Sequence, residues 1–120
     1  MLKMSVTHLL LILVCVISIA LGQLVFKKAG MEWESAGTWI NFHVIVAIGL
    51  ALLIYGFATV LWVYILRVVP LNQAYPFVAL SFIIVPVASS LVYKEALAYS
   101  HIIGFLLIVS GIVAISRSGS

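Results

Sequence analysis

Four long apolar runs, separated only by short polar breaks, constrain this chain more than any other feature. In 120 residues, 66% are hydrophobic and 8% are charged. A soluble domain carries roughly 25% charged residues, and a chain this short has too much surface to hide so much apolar area from water. Lipid is the solvent that suits it. The runs are continuous instead of alternating, which predicts helices and not the strands of a barrel. The expected fold class is therefore all-α: a bundle of four transmembrane helices.

A span needs about 20 apolar residues to cross roughly 30 Å of hydrocarbon. On that measure the spans fall at residues 5–26, 43–66, 73–93 and 99–116, and the chain 1–120 reads as one four-helix transmembrane domain. Lys27 and Lys28 close the first span. The segment Met31–Phe42, with Trp33 and Trp39, reads as the one long connection, its tryptophans suited to the membrane interface. Pro70 opens a tight turn. Pro76 is tolerated in the first turn of span three, whereas Pro86 lies deeper and predicts a kink. The first run is longer than the apolar core of a signal peptide, so it is expected to stay as a membrane helix. Alternation of the loops places Lys3, Arg67 and Arg117 on one side and Lys27, Lys28 and Lys94 on the other. With three basic residues against three, the positive-inside rule does not decide the orientation.

Several function classes drop out. The basic residues stand singly between apolar runs and form no patch, so no nucleic-acid partner is expected. Cys15, the sole cysteine, forms no disulfide within the chain. His8, His43 and His101 lie near three different span ends and predict no metal site. No nucleophile has a base at supportive spacing, so neither catalysis nor a cofactor is expected. Glu32, Glu34 and Glu95 fall in loops or at span ends, leaving no mid-membrane carboxylate for proton-coupled export of cations.

Transport and membrane assembly remain. Ile19, Gln23 and Lys27 recur at i, i+4 and i+8 on span one, and Tyr55, Thr59 and Trp62 recur on one face of span two. A polar stripe ending in lysine against an aromatic stripe suits an amphiphile with an anionic head. Interfacial aromatics and a snorkelling lysine produce the same pattern. The candidate substrate-binding residues are Gln23, Lys27, Trp62, Arg67 and Tyr75. Gly104 and Gly111 form a small-residue stripe on span four, of the kind that lets helices approach closely. It serves either packing within the bundle or contact with a second subunit.

Gly22-Gln23 followed by Lys27, the Pro70 turn, Ala74-Tyr75-Pro76, Glu95 and the Gly104/Gly111 stripe together resemble the small four-helix members of the drug/metabolite transporter superfamily, of EamA-like and small multidrug resistance (SMR) type. Val60-Leu61-Trp62 and Val69-Pro70 through Ala74-Tyr75-Pro76 are most similar to the ArnE/ArnF-type subunits of the aminoarabinose–phosphoundecaprenol flippase. The resemblance implies a flippase subunit moving a polyprenyl-phosphate-linked sugar or similar amphiphile across the bacterial inner membrane. It also implies a homodimer or a heterodimer with a similar four-helix subunit. The alternatives are an SMR-type exporter of small molecules and a non-transporting subunit that stabilises a partner enzyme. Counting back from Gly22, the exporters' span-one glutamate falls at Ile19, an apolar residue, which argues against drug–proton antiport.

Overall fold

The structure, a computed structural model, describes residues 5–118. Its elements are α1 (Val6–Ala36), α2 (Phe42–Leu66), α3 (Leu71–Ala74), a 3-10 segment (Tyr75–Leu80), α4 (Ser81–Tyr93) and α5 (Tyr99–Ser118). From α3 to α4 the chain is one span, Leu71–Tyr93, so among the described residues four helices are long and apolar enough to cross a bilayer. No strand occurs among the described residues. The protein is an all-α, multi-pass membrane protein.

Local chemistry sets the helix ends. The Ser5 hydroxyl accepts the His8 backbone N–H at 3.2 Å, and the Asn41 side chain accepts that of His43 at 2.9 Å. Both are side-chain N-caps. Gly37 stops α1 in the left-handed region at φ 76°, and its N–H bonds the Trp33 carbonyl at 2.8 Å. That conformation suits glycine. Pro76 lacks the N–H that would reach the Asn72 carbonyl, and its ring crowds that carbonyl. The chain tightens to 3-10 geometry over Tyr75–Leu80. Pro86 lies inside α4, which runs from Ser81 to Tyr93, and the 3-10 segment lies at Pro76.

The segment after Phe26 differs from its expected form. Helix α1 continues ten residues further, to Ala36, and the connection to α2 shrinks to Gly37–Asn41. The reason is that a helix bonds its own backbone, so leaving the hydrocarbon does not end it. Lys27, Lys28, Ala29, Met31, Glu32 and Glu34 are good helix formers. Lys28 and Glu32 add an i,i+4 ion pair at 3.5 Å. At 1.5 Å per residue α1 is about 46 Å long, well beyond the hydrocarbon thickness.

Helix α1 is the packing centre, lying along α2 and against α4. The core joins Ile12, Cys15 and Val16 of α1 to Ala58 and Ile65 of α2, with Val69 and Ala74 beyond. Small residues bring the two backbones together: the Cys15 thiol donates to the Ala58 carbonyl at 3.3 Å. The other helices are splayed. The radius of gyration is 16.6 Å, against about 14 Å for a compact domain of this length. The thinnest dimension is 17 Å, less than two helix diameters. Helix α5 rests mainly on the 3-10 segment. Far less of it is buried than of α1. Ile102, Ile103, Leu106 and Leu107 are left facing outward.

Candidate substrate site between the first three spans

The polar stripe of α1 faces the aromatic stripe of α2. The Gln23 amide donates to the Tyr55 phenolic oxygen. Phe26 packs on the Tyr55 ring at 5.4 Å between centroids, and the Thr59 hydroxyl donates to the Tyr55 carbonyl at 2.7 Å. Toward the membrane interior from this junction lies a cavity of about 270 Å³ lined by Ile19, Tyr55, Thr59, Trp62, Tyr75 and Val78. Small-molecule sites run from roughly 300 to 1,000 Å³, so this one has the scale of a single small ring.

Tyr75 reaches the cavity because the Pro70 turn sends span three back against α1 and the 3-10 segment begins at Tyr75. Its ring meets Trp62 edge-on, with centroids 6.3 Å apart and planes at 66°. Two aromatic faces and a hydroxyl beside an open volume can stack on a sugar ring and bond its hydroxyls.

Lys27 lies two turns above Ile19 on the same stripe, about 12 Å along the axis. Its ammonium is 3.4 Å from Glu95 Oε2, with both side chains half exposed. The other Glu95 oxygen accepts a hydrogen bond from Ser89. Nearby, the Tyr93 hydroxyl donates to the Leu24 carbonyl at 2.6 Å. These contacts pin the end of span three to α1. Lys94, at φ 58°, supplies the left-handed turn between Tyr93 and Glu95.

The five candidate side chains therefore separate into groups. Trp62 and Tyr75 touch across the cavity. Gln23 joins it through Tyr55. Lys27 stands above, engaged by Glu95. Arg67 folds back on its own helix: its guanidinium lies 4.3 Å from the Tyr64 ring centroid, and its Nε donates to the Tyr64 carbonyl at 3.2 Å. It is not on the cavity wall. Gly104 and Gly111 lie on α5, and a Cβ at either would meet nothing within 4 Å. Among the described residues no group of three His, Cys, Asp or Glu side chains is placed to hold a metal.

Sequence reasoning passed over two participants. Tyr55 is visible in the aromatic stripe, yet its part as the hydrogen-bonded partition above the cavity depends on facing Gln23. Glu95 reads as a turn residue, and no spacing rule links it to Lys27. An acidic residue beside an apolar span end, with a lysine at the end of another span, is the only signal.

Four membrane-capable helices, two of them facing each other through polar and aromatic stripes above a small cavity, define a small multi-pass membrane protein of transporter type. A curated relative from Proteus mirabilis is 30% identical over 106 residues, covering 88% of this chain and 94% of the relative. One from Salmonella newport is 34% identical over 109 residues, covering 91% and 96%. Both are named probable 4-amino-4-deoxy-L-arabinose-phosphoundecaprenol flippase subunit ArnE. The chain belongs to this ArnE family. No family model matches it, and no solved structure does.

Proposed function

We propose that this chain is one subunit of a flippase that carries a polyprenyl-phosphate-linked amino sugar across the bacterial inner membrane, paired with a second four-helix chain. The observation that carries the reading is the match to ArnE subunits along nearly the whole length of both chains. The geometry supports it. The isoprenoid tail can stay in lipid while the head crosses, and an uncompensated charge in hydrocarbon is costly. Gln23, Trp62 and Tyr75 offer bonds and stacking for the sugar between the spans. Lys27 and Arg67 offer cations toward the two ends for the phosphate. The slab-like shape and the uncovered face of α5 fit a subunit completed by a partner, with Gly104 and Gly111 at the contact.

The test uses the amine of the cargo. Vesicles holding this chain and its partner are loaded with aminoarabinose-phosphoundecaprenol and treated with a membrane-impermeant amine reagent. Translocation labels the inner-leaflet pool at a rate that depends on both chains. Labelling that stops at the outer-leaflet fraction, with and without protein, overturns the reading.

A further inference from the structure

A second concavity lies above the aromatic cavity, on the outer side of α1 and α2. It has a volume of about 480 Å³. Its walls are Leu21 and Val25 of α1, Val46 and Leu50 of α2, and Val92 at the end of α4, with Ala47 as its floor. Leu21, Val46 and Leu50 are each half exposed, so the groove opens sideways to lipid. Its polar residues gather at one end: Lys28, Glu32, His43 and the Tyr93 ring. From Leu21 to Glu32 the helix rises about 16 Å, so the groove runs from the apolar interior to the level of the span-end charges.

We propose that this groove is the seat in which the lipid-linked amino sugar docks before its head crosses, a proposal that rests on the flippase reading above. The occupant follows from the order of groups along the groove. An apolar trough open to the bilayer takes an isoprenoid tail. At its mouth stand a cation and an anion one turn apart, Lys28 and Glu32, whose charged groups are 3.5 Å from each other. A 4-amino-4-deoxy sugar phosphate carries the complementary pair, a phosphate anion and an ammonium. Lys28 meets the phosphate, His43 adds a ring N–H donor, and Glu32 accepts from the ammonium. A phospholipid with an uncharged or purely anionic head lacks the second half of this match.

Two further observations favour a binding role for the Lys28–Glu32 pair over a structural one. Lys28 precedes Glu32, the less favourable orientation for an i,i+4 pair. The Lys28 side chain is 59% exposed and that of Glu32 33%, so the pair holds the helix weakly and the Lys28 ammonium is open to a ligand. The neighbouring Lys27, by contrast, pairs with Glu95 across to span three and so faces away from the trough. The Tyr93 bond to the Leu24 carbonyl fixes the groove's end wall.

Binding to the full chain in detergent tests the seat, with three probes: aminoarabinose-phosphoundecaprenol, phosphoundecaprenol without the sugar, and phosphatidylglycerol. The parent is expected to bind the amino-sugar lipid several-fold more tightly than phosphoundecaprenol, with phosphatidylglycerol a poor competitor. Glu32→Gln should erase that preference while leaving phosphoundecaprenol binding intact. Lys28→Gln should weaken both polyprenyl lipids about tenfold, the scale of one hydrogen bond to a charged group, and Lys28→Arg should retain them. Ala47→Phe, which fills the floor, should weaken both as well. Unchanged affinities in Lys28→Gln and Glu32→Gln, at unchanged melting temperature, overturn the seat, as does equal competition by phosphatidylglycerol. Normal binding by these variants alongside translocation by the parent removes the groove and leaves the flippase. The expected binding pattern without translocation in vesicles supports the seat and removes the flippase.

Discussion

Gly22 of α1 lies flat against the Tyr55 ring of α2: a Cβ built on Gly22 would sit 2.6 Å from the ring's Cδ2 and 2.7 Å from Cε2. The ring is held on its other sides by the bond from Gln23 and the contact with Phe26. It has little freedom to retreat. Helix propensity favours Gly22→Ala by about 1 kcal/mol, but overpacking a fitted contact costs about 1–3 kcal/mol. The expected net effect is a loss of about 1 kcal/mol for alanine and more for valine. Equilibrium unfolding in mixed micelles measures it. Gly49→Ala is the control, because a Cβ there meets nothing within 4 Å.

The glycines of α5 obey different physics. With nothing within 4 Å of a Cβ built on Gly104 or Gly111, a larger side chain there is expected to be accommodated by a single chain. If the partner packs on this face, the double variant Gly104→Leu, Gly111→Leu melts as a monomer no lower than the parent, since replacing a helical glycine gains helix propensity, and it loses association, because the backbones can no longer approach. Native electrophoresis in mild detergent reads the outcome. An unchanged oligomer puts the interface elsewhere on the chain.

The Lys27–Glu95 pair is half exposed, and exposed ion pairs contribute at most about 1 kcal/mol. A double-mutant cycle with Lys27→Gln and Glu95→Gln should return a coupling of that size. Its effect on transport should be larger. A lysine that exchanges Glu95 for the cargo phosphate is needed in every cycle, so Lys27→Gln slows translocation severalfold at equal protein abundance. Equal rates in parent and variant reduce Lys27 to an anchor.

Membrane solvation made the helices legible in the sequence. Apolar runs mark what must stay in hydrocarbon, and Pro70 and Lys94 mark where the chain turns. The end of α1 was not legible from hydropathy, because the bilayer edge near Lys27 and the helix end at Gly37 have different causes. One is set by charge and the other by a left-handed glycine. The opposition of a polar stripe on span one and an aromatic stripe on span two was readable, but the bond from Gln23 to Tyr55 within it was not. The Lys27–Glu95 contact was not, because it depends on how far span three runs before it turns. The groove at Lys28 escaped for a related reason: adjacent residues on a helix point about 100° apart, and only packing shows which lysine meets span three and which faces the trough.

Lys94 is the only non-glycine with positive φ among the described residues. Its left-handed conformation carries the chain from α4 to Glu95, and so sets the reach of Glu95 to Lys27 and Ser89. An L-residue in that region costs roughly 1–2 kcal/mol. Glycine removes the cost but loses about 0.5–1 kcal/mol of backbone entropy on folding. The expected balance for Lys94→Gly is a stabilisation of about 0.5–1 kcal/mol. Lys94→Ala separates the backbone effect from the lost charge, since it removes the ammonium and keeps the strain; it should be no more stable than the parent. Lys94→Pro cannot adopt φ 58°, because its ring fixes φ near −65°. It should therefore part Glu95 from Lys27 and abolish the coupling seen in the double-mutant cycle. Unfolding in mixed micelles across the three variants gives the order glycine above parent, parent level with or above alanine, proline lowest. Glycine and alanine falling together would mean that the turn carries no strain and that Glu95 is positioned by its own bonds alone.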